Sequence, residues 1–424
     1  MDSAGRIELI RELCSFEGRG PGTDAERRAA NMLAGRLRGI GRPARIEPFF
    51  SHPQYALVHL IHAAIGVAGS VISTAQPAIG FALVFAAAVS TYLDVNTRLY
   101  LVRSLFFRRV SQNVVSPGER PDAPTRLILM AHYDAARTGY IFSKASNRIR
   151  SLPERVRLGL GPFRLFFWAG LAPLLPILGA RMAGIDATWL SAIQAVPTIV
   201  LIVAAFLLVD IALSGIVPGA YDNASGVAAV LSAADELRVN PPPNLDVWVV
   251  LTGSEESFSE GSRSFVRSHR KELDRDRTAF INVDSVSHGG PAYEVSQGAV
   301  ISLPHDPRLI GLCEALAIAE TGASPAPRAI RYPLLDDALP PRVGRYRAIT
   351  LRTTDDRGNL APWYHTHDDL PDRVDSEALT RVTDFVVALA RLVDREAGRT
   401  AGATPAPSSP QPPGSRAPAG PERV

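Results

Sequence analysis

His132, Asp134, Asp222, Glu255, Glu256, Asp284 and His365 are the residues whose types and settings suit chemistry. Each lies at the end of a strand-like run or in a turn. Imidazoles and carboxylates in this mixture are the ligand inventory of a two-metal hydrolase. The organising stretch is Gly219-Ala220-Tyr221-Asp222-Asn223-Ala224-Ser225-Gly226, which opens the helical pattern from Val227 to Leu237. An acid in so tight a turn can point its carboxylate into a cleft where a cation holds it. Taken alone, the stretch also reads as an ordinary helix start with an Asn or Ser cap.

The partners carry similar pairs of readings. His132 and Asp134 are two apart at a strand end, so they share a side. His132 can ligate a metal while Asp134 fixes its other ring nitrogen. Glu255-Glu256 follows the strand-like run from Val247 to Leu251 and the turn Gly253-Ser254. Adjacent carboxylates repel, and a divalent ion would bind one and leave the other free as a general base. The competing reading is an acidic helix start, favoured by the helix dipole. Asp284 ends the run from Phe280 to Val283, at the edge where open α/β sheets place ligands, or where any strand turns. In Trp363-Tyr364-His365-Thr366-His367-Asp368-Asp369, His365 is the candidate ligand and His367 its competitor. Tyr364 is placed to donate a hydrogen bond to a developing oxyanion.

These residues need a scaffold. The chain has 424 residues, enough for one large domain with additions. Hydrophobic residues make up 46% and mean hydropathy is +0.07, high for a soluble enzyme. Net charge is +3, but the arginines cluster beside apolar runs and no basic face alternates with aromatics, so nucleic acid is not the partner. Cys14 and Cys313 are the only cysteines, which excludes a thiolate metal cluster and a disulfide framework. The acidic start, Met1 to Arg6, lacks a signal-peptide pattern.

Helical periods cover residues 6–16, 24–39, 308–321 and 376–396, and strand patterns cover 44–50, 245–251, 279–283 and 348–351. Further strands are expected up to Val115 and from Leu127 to His132, and a helix starts at Ser262. Residues 56–93 contain no Asp, Glu, Lys or Arg, which leaves room for two membrane helices turning near Gln76-Pro77. A second pair is expected over 165–180, kinked by Pro173 and Pro176, and 187–209. His59 and His62 are expected at a helix interface. The reading is one α/β domain over 1–55, 94–163 and 214–396. Hairpins are inserted at 56–93 and 164–213, and residues 397–424 form a disordered Pro/Ala/Gly-rich tail. Arginines flank the hairpins on the domain side, including the basic segment Lys144, Arg148, Arg150, Arg155, Arg157 and Arg164. By the positive-inside rule the protein is a multi-pass cell-membrane protein with its catalytic domain on the cytoplasmic side.

Together the motifs resemble the M28 family of zinc metallopeptidases. The matching residues are Ala131-His132-Tyr133-Asp134, Gly219 to Gly226, Gly253-Ser254-Glu255-Glu256 with Gly261-Ser262, Asn282-Val283-Asp284, and Tyr364-His365-Thr366 with Asp369. The resemblance implies an α/β/α sandwich around a mixed sheet and two zinc ions. Asp222 would bridge the ions; His132 and Asp284 would complete one site, Glu256 and His365 the other. Glu255 would be the general base, Asp134 would orient His132, and Tyr364 would stabilise the oxyanion. It implies a peptide substrate and aminopeptidase activity, beside a lipid bilayer as the second partner. The alternatives are other chemistry on the same scaffold, such as glutaminyl cyclisation, and a non-catalytic membrane scaffold. The chain departs from the family pattern at Tyr221, where a second acid is frequent, at Phe258, where glycine is usual, and at His367, where proline is common.

Overall fold

The computed structural model describes residues 1–143, 161–319 and 326–403. Branched and aromatic runs pair into a nine-stranded mixed sheet. Its strands are β1 Arg45–Ser51, β2 Arg109–Ser116, β3 Thr125–His132, β4 Leu245–Thr252, β5 Thr278–Val283, β6 Gly290–Gln297, β7 Leu303–Pro304, β8 Arg328–Arg331 and β9 Arg347–Thr354. The order is β1-β2-β4-β3-β5-β9-β6-β7, with β8 also paired to β6. The inner strands β4, β3, β5 and β9 are mutually parallel. Parallel strands are buried on both faces, which is why these read as near-continuous apolar runs.

On β3, Leu127, Leu129 and Ala131 enter one core and Ile128 and Met130 the other, the period of two expected of a strand. The first core is covered by α1 Ser3–Cys14, α2 Asp24–Gly39, α7 Ser225–Val239 and α11 Ser376–Ala403. The second is covered by α8 Glu260–Ser268 and the short α10 Leu339–Val343. The α/β/α sandwich follows. Thr23 caps α2 by accepting the Glu26 N–H at 3.2 Å. Helix α9, Pro307–Ala319, lies against the first core through Leu309 and Cys313.

Strands β6, β7 and β8 and helix α10 have no counterpart in the sequence reading. The middle of β6 carries Glu294, which breaks an apolar run. It is nevertheless buried, because Arg352 of the neighbouring β9 pairs with it. That partner is 58 residues away and cannot be seen in the local pattern. The last helix continues through residues 397–403, while residues 404–424 of the expected tail lie outside the described residues. So does most of the basic segment, at 144–160.

Among the described residues, four helices are long and apolar enough to cross a membrane: α3 Tyr55–Ile72, α4 Pro77–Val95, α5 Pro162–Met182 and α6 Thr188–Leu213. They share a separate apolar cluster that includes Ala63, Val84, Leu174 and Leu201. Helices α3 and α4 meet where a Cβ on Gly80 would stand 2.4 Å from the Gly69 carbonyl, so the pair approaches backbone to backbone. Helix α5 widens to a π-helical stretch at Leu165–Leu171, just before Pro173 and Pro176 remove amide donors. His59 and His62 are buried between helices, His62 bonding Ser90 at 2.8 Å.

Leu129 is fully buried at the centre of the sheet. Leu129→Ala should cost about 3 kcal/mol. A thermal melt of the detergent-purified protein should show the midpoint lowered by several degrees.

Candidate metal centre

The parallel strands end on one edge of the sheet and deliver the candidate residues there. His132 is the last residue of β3, Glu255 and Glu256 follow β4 by a short turn, and Asp284 follows β5 directly. His365 comes from the loop after β9, and Asp222 from the turn before α7. Their donor atoms form three groups, each with all atoms within 4.8 Å of one another: His132–Asp222–Asp284, Asp222–Glu256–His365 and His132–Glu255–Glu256. Asp222 is common to the first two. The structure therefore gathers every sequence-predicted ligand. It leaves His367 out, in a cleft of about 660 Å³ lined also by Thr138, Asp210 and Trp363.

The Asp222 turn is built from close approaches. Gly219 has φ +69°, and a Cβ there would stand 2.6 Å from the Asp222 carbonyl. A Cβ on Gly226 would stand 2.4 Å from the Val283 carbonyl, so the turn packs directly on the end of β5. Asn223 locks the two together: its amide nitrogen donates to the Val283 carbonyl at 2.9 Å, and its Oδ1 accepts the N–H groups of Gly226 and Ser285 at 3.0 Å each. The Asp222–Asn223 peptide is cis. Asp369 accepts the N–H groups of Tyr221 and Asp222 at 2.7 and 3.1 Å. Burial pushes the Asp369 carboxyl up to about 7 against these donors. Tyr221 is fully buried and donates to the Thr353 carbonyl at 3.1 Å, so this departure from the family pattern is a packing and anchoring residue.

Asp134 has a wider role than its spacing suggests. Its carboxylate accepts the N–H groups of Glu255 and Glu256 at 3.0 Å each. Its carboxylate lies 3.5 Å from His132 Nδ1, while its carbonyl is nearer at 3.2 Å. It thus orders the Glu255 turn as well as the imidazole. Glu26, fully buried, supports the same turn by accepting the Ser254 N–H at 2.9 Å. Arg352 was not anticipated. Its Nη2 donates to Asp284 at 3.0 Å and to Asp336 at 2.9 Å, and its guanidinium lies 4.0 Å from the Tyr332 ring centroid. Tyr332 in turn touches the Tyr364 hydroxyl at 3.2 Å. An arginine within an apolar β9 run, and the acid pair Asp336-Asp337 amid apolar residues, were the available signals.

The electrostatics of the cluster fit a cation. Burial, then the neighbouring carboxylates, raises Glu256 well above the usual range. Burial, with Asp337, Asp284 and Asp134, does the same for Glu255. Burial alone would lower His132, but bonding to Asp134, Asp222 and Asp284 holds it well up. Burial would raise Asp222, yet His132 and His365 hold it far down. Glu256 Oε1 and His365 Nδ1 are buried without a hydrogen-bond partner. Two imidazoles with carboxylates are a donor set that suits zinc. Phe142 packs against His365 at 4.6 Å between ring centroids and walls one side.

Comparison with known proteins adds to this geometry. Residues 203–390 match the family model of peptidase family M28. That stretch includes Asp222, Glu255, Glu256, Asp284 and His365; His132 and Asp134 lie before it. Over 91 residues the chain is 36% identical to a probable lipoprotein aminopeptidase, LpqL, of Mycobacterium tuberculosis, covering 22% of this chain and 18% of that protein. The fold is shared with the aminopeptidase LapA of Legionella pneumophila, at TM-score 0.50 and 14% identity over 93% of this chain and 72% of the other. It is shared with a glutaminyl cyclase of Porphyromonas gingivalis, at TM-score 0.53 and 15% identity over 92% and 98%. A Zn-dependent exopeptidase of Parabacteroides distasonis matches at TM-score 0.50 and 13% identity over 93% and 97%. The match over residues 203–390 and the shared fold make this chain similar to peptidase family M28.

Proposed function

We propose that this protein is a membrane-embedded dizinc aminopeptidase whose catalytic domain, residues 1–55, 94–163 and 214–396, lies on the cytoplasmic side. The observation that carries the metal reading is that Asp222 belongs to two of the three groups, His132–Asp222–Asp284 and Asp222–Glu256–His365, so one carboxylate can serve two ions. His132 and Asp284 would complete one site, Glu256 and His365 the other. Metal ions there would supply Lewis-acid polarisation of the scissile carbonyl and a more acidic water.

The chain's own residues do the rest. Glu255 accepts a proton from the attacking water on its carboxylate and delivers it to the leaving amine nitrogen. Ser259 Oγ donates to Glu255 Oε1 at 3.2 Å and steers that carboxylate. Asp134 holds the backbone of the turn through its two N–H acceptances. The Tyr364 hydroxyl donates to the oxyanion, and Tyr332 orients it from 3.2 Å. Phe142 and Tyr364 flank the imidazole of His365 and reduce water access.

The membrane reading rests on the four apolar helices. Phe85, Ile199, Phe206 and Leu213 expose 52%, 57%, 73% and 82% of their surface, which a lipid environment would cover. The arginine bias of the sequence supports the sidedness.

Glu255→Gln should lower hydrolysis of unblocked peptides about 10²- to 10⁴-fold while two zinc ions stay bound. The assay is release of free N-terminal residues from a panel of aminoacyl, N-blocked and N-terminal glutaminyl peptides. Ammonia released from the glutaminyl peptide, without peptide cleavage, would replace the peptidase reading by cyclisation. Asp222→Asn should lose both ions, read by metal analysis after dialysis against a chelator. One retained ion would count against a bridging carboxylate.

A further inference from the structure

We infer that the first apolar hairpin, α3–α4, positions the catalytic turn, and that it acts through Phe258, Arg103 and Asp94. The inference rests on the roles proposed above for Glu255 and Glu256. The turn between β4 and α8 contains Ser254, Phe258 and Ser259 with φ of +53°, +69° and +53°. This left-handed region favours glycine, because a Cβ crowds the following carbonyl. A bulky residue stays there only when its surroundings hold it.

The Phe258 ring packs on the hairpins and, in the same apolar cluster, on Ala299, Val300, Leu335 and Leu339 of the α/β domain. Its ring meets Tyr55 and His59 of α3 edge-on at 5.0 and 5.2 Å, and Phe163 of α5 at 5.2 Å. The Arg103 guanidinium lies 5.3 Å from its centroid. The side chain is thus seated among the apolar helices, while its backbone is two residues from the ligand Glu256. Arg103 forms a second connection. It is fully buried, and its Nε and Nη2 donate to Asp94 of α4 at 2.9 and 2.6 Å. Its Nη1 donates to the Ser257 carbonyl at 2.8 Å. A single cation therefore joins the carboxylate at the end of α4 to the carbonyl of Ser257, the residue directly after Glu256. A third connection runs from Arg263 of α8 to the Thr97 carbonyl, just past α4, at 2.8 Å.

The Phe258 and Arg103 contacts meet at the turn itself. Ser259, the residue after Phe258, is the one that bonds the Glu255 carboxylate. Moving the Phe258 ring would therefore move the base and a ligand together. Phe258, Arg103 and Asp94 act as positioning residues; none lies in the ligand groups.

The test uses full-length protein in detergent. Phe258→Gly keeps a residue that accepts the left-handed backbone and removes the ring. Asp94→Asn keeps the ring and weakens the hold on Arg103. Phe258→Tyr retains the ring as the conservative variant. Three quantities are measured: kcat and KM on unblocked peptides, zinc content, and hydrogen exchange of peptides covering 253–262 and 245–252. Phe258→Gly should lower kcat about 10- to 100-fold with KM and zinc content near wild type. Exchange should accelerate over 253–262 and stay unchanged over 245–252, with a smaller change of the same kind in Asp94→Asn. Phe258→Tyr should restore most of kcat and the slow exchange. Wild-type kcat and exchange in Phe258→Gly would overturn the inference, as would acceleration throughout the domain. If the wild type cleaves no peptide, the proposed function fails, and the exchange data alone decide the positioning role.

Discussion

The burial of like charge at one edge of the sheet is the constraint on which the structure turns. Asp134, Asp222, Glu255, Asp284, Asp337 and Asp369 are each less than 9% exposed, and Glu256 joins them. Carboxylates do not gather out of water unless each one has a partner. Asp134 and Asp369 are satisfied by backbone N–H groups, Asp284 by Arg352, and Asp337 by Thr252. Asp222 faces the imidazoles of His132 and His365 and the Ser285 hydroxyl, and Glu256 lies 3.5 Å from His365. The residual negative charge is the physical reason a dication belongs here, and it explains why so much of the surrounding polar structure exists.

The fold meets this constraint by delivering residues from many places to one edge. Parallel strands bring their carboxyl ends together, so residues more than two hundred positions apart converge without long loops. Close glycine approaches at Gly219 and Gly226 let the Asp222 turn lie on the end of β5. Arg19 ties the same region to the N-terminal helices by donating to the carbonyls of Leu13, Tyr133 and Gly219. Such a frame resists displacement, because moving any one ligand breaks backbone bonds of its neighbours.

The apolar helices extend this frame. Several polar side chains in them are paired: His62 with Ser90, Asp94 with Arg103, Arg181 with Gln194. The Arg181 group lies beside the interhelical turns, and the Asp94 group beside the α/β domain. The second group is the one in contact with the turn that carries Glu255 and Glu256. Insertion of helices into loops near the site thus places them against the chemistry as well as beside it.

Sequence patterns by themselves marked most of the elements and the candidate ligand set. The parallel core strands were legible because both faces are apolar, α2 because of its cap and period, and the hairpins because charge is absent over 56–93. His132, Asp222, Glu255, Glu256, Asp284 and His365 were legible because each sits at a strand end or tight turn within motifs of known order. The tertiary structure alone decided what those motifs lean on. Strand β6 forms around Glu294 because Arg352 of β9 pairs with it, Asp134 proves to hold the Glu255 turn, and Phe258 finds its partners on α3 and α5. The physical reason is range. Periodicity, caps and charge-free runs are local properties of the chain, whereas a buried charge or a left-handed phenylalanine is tolerable only through partners brought from far along it.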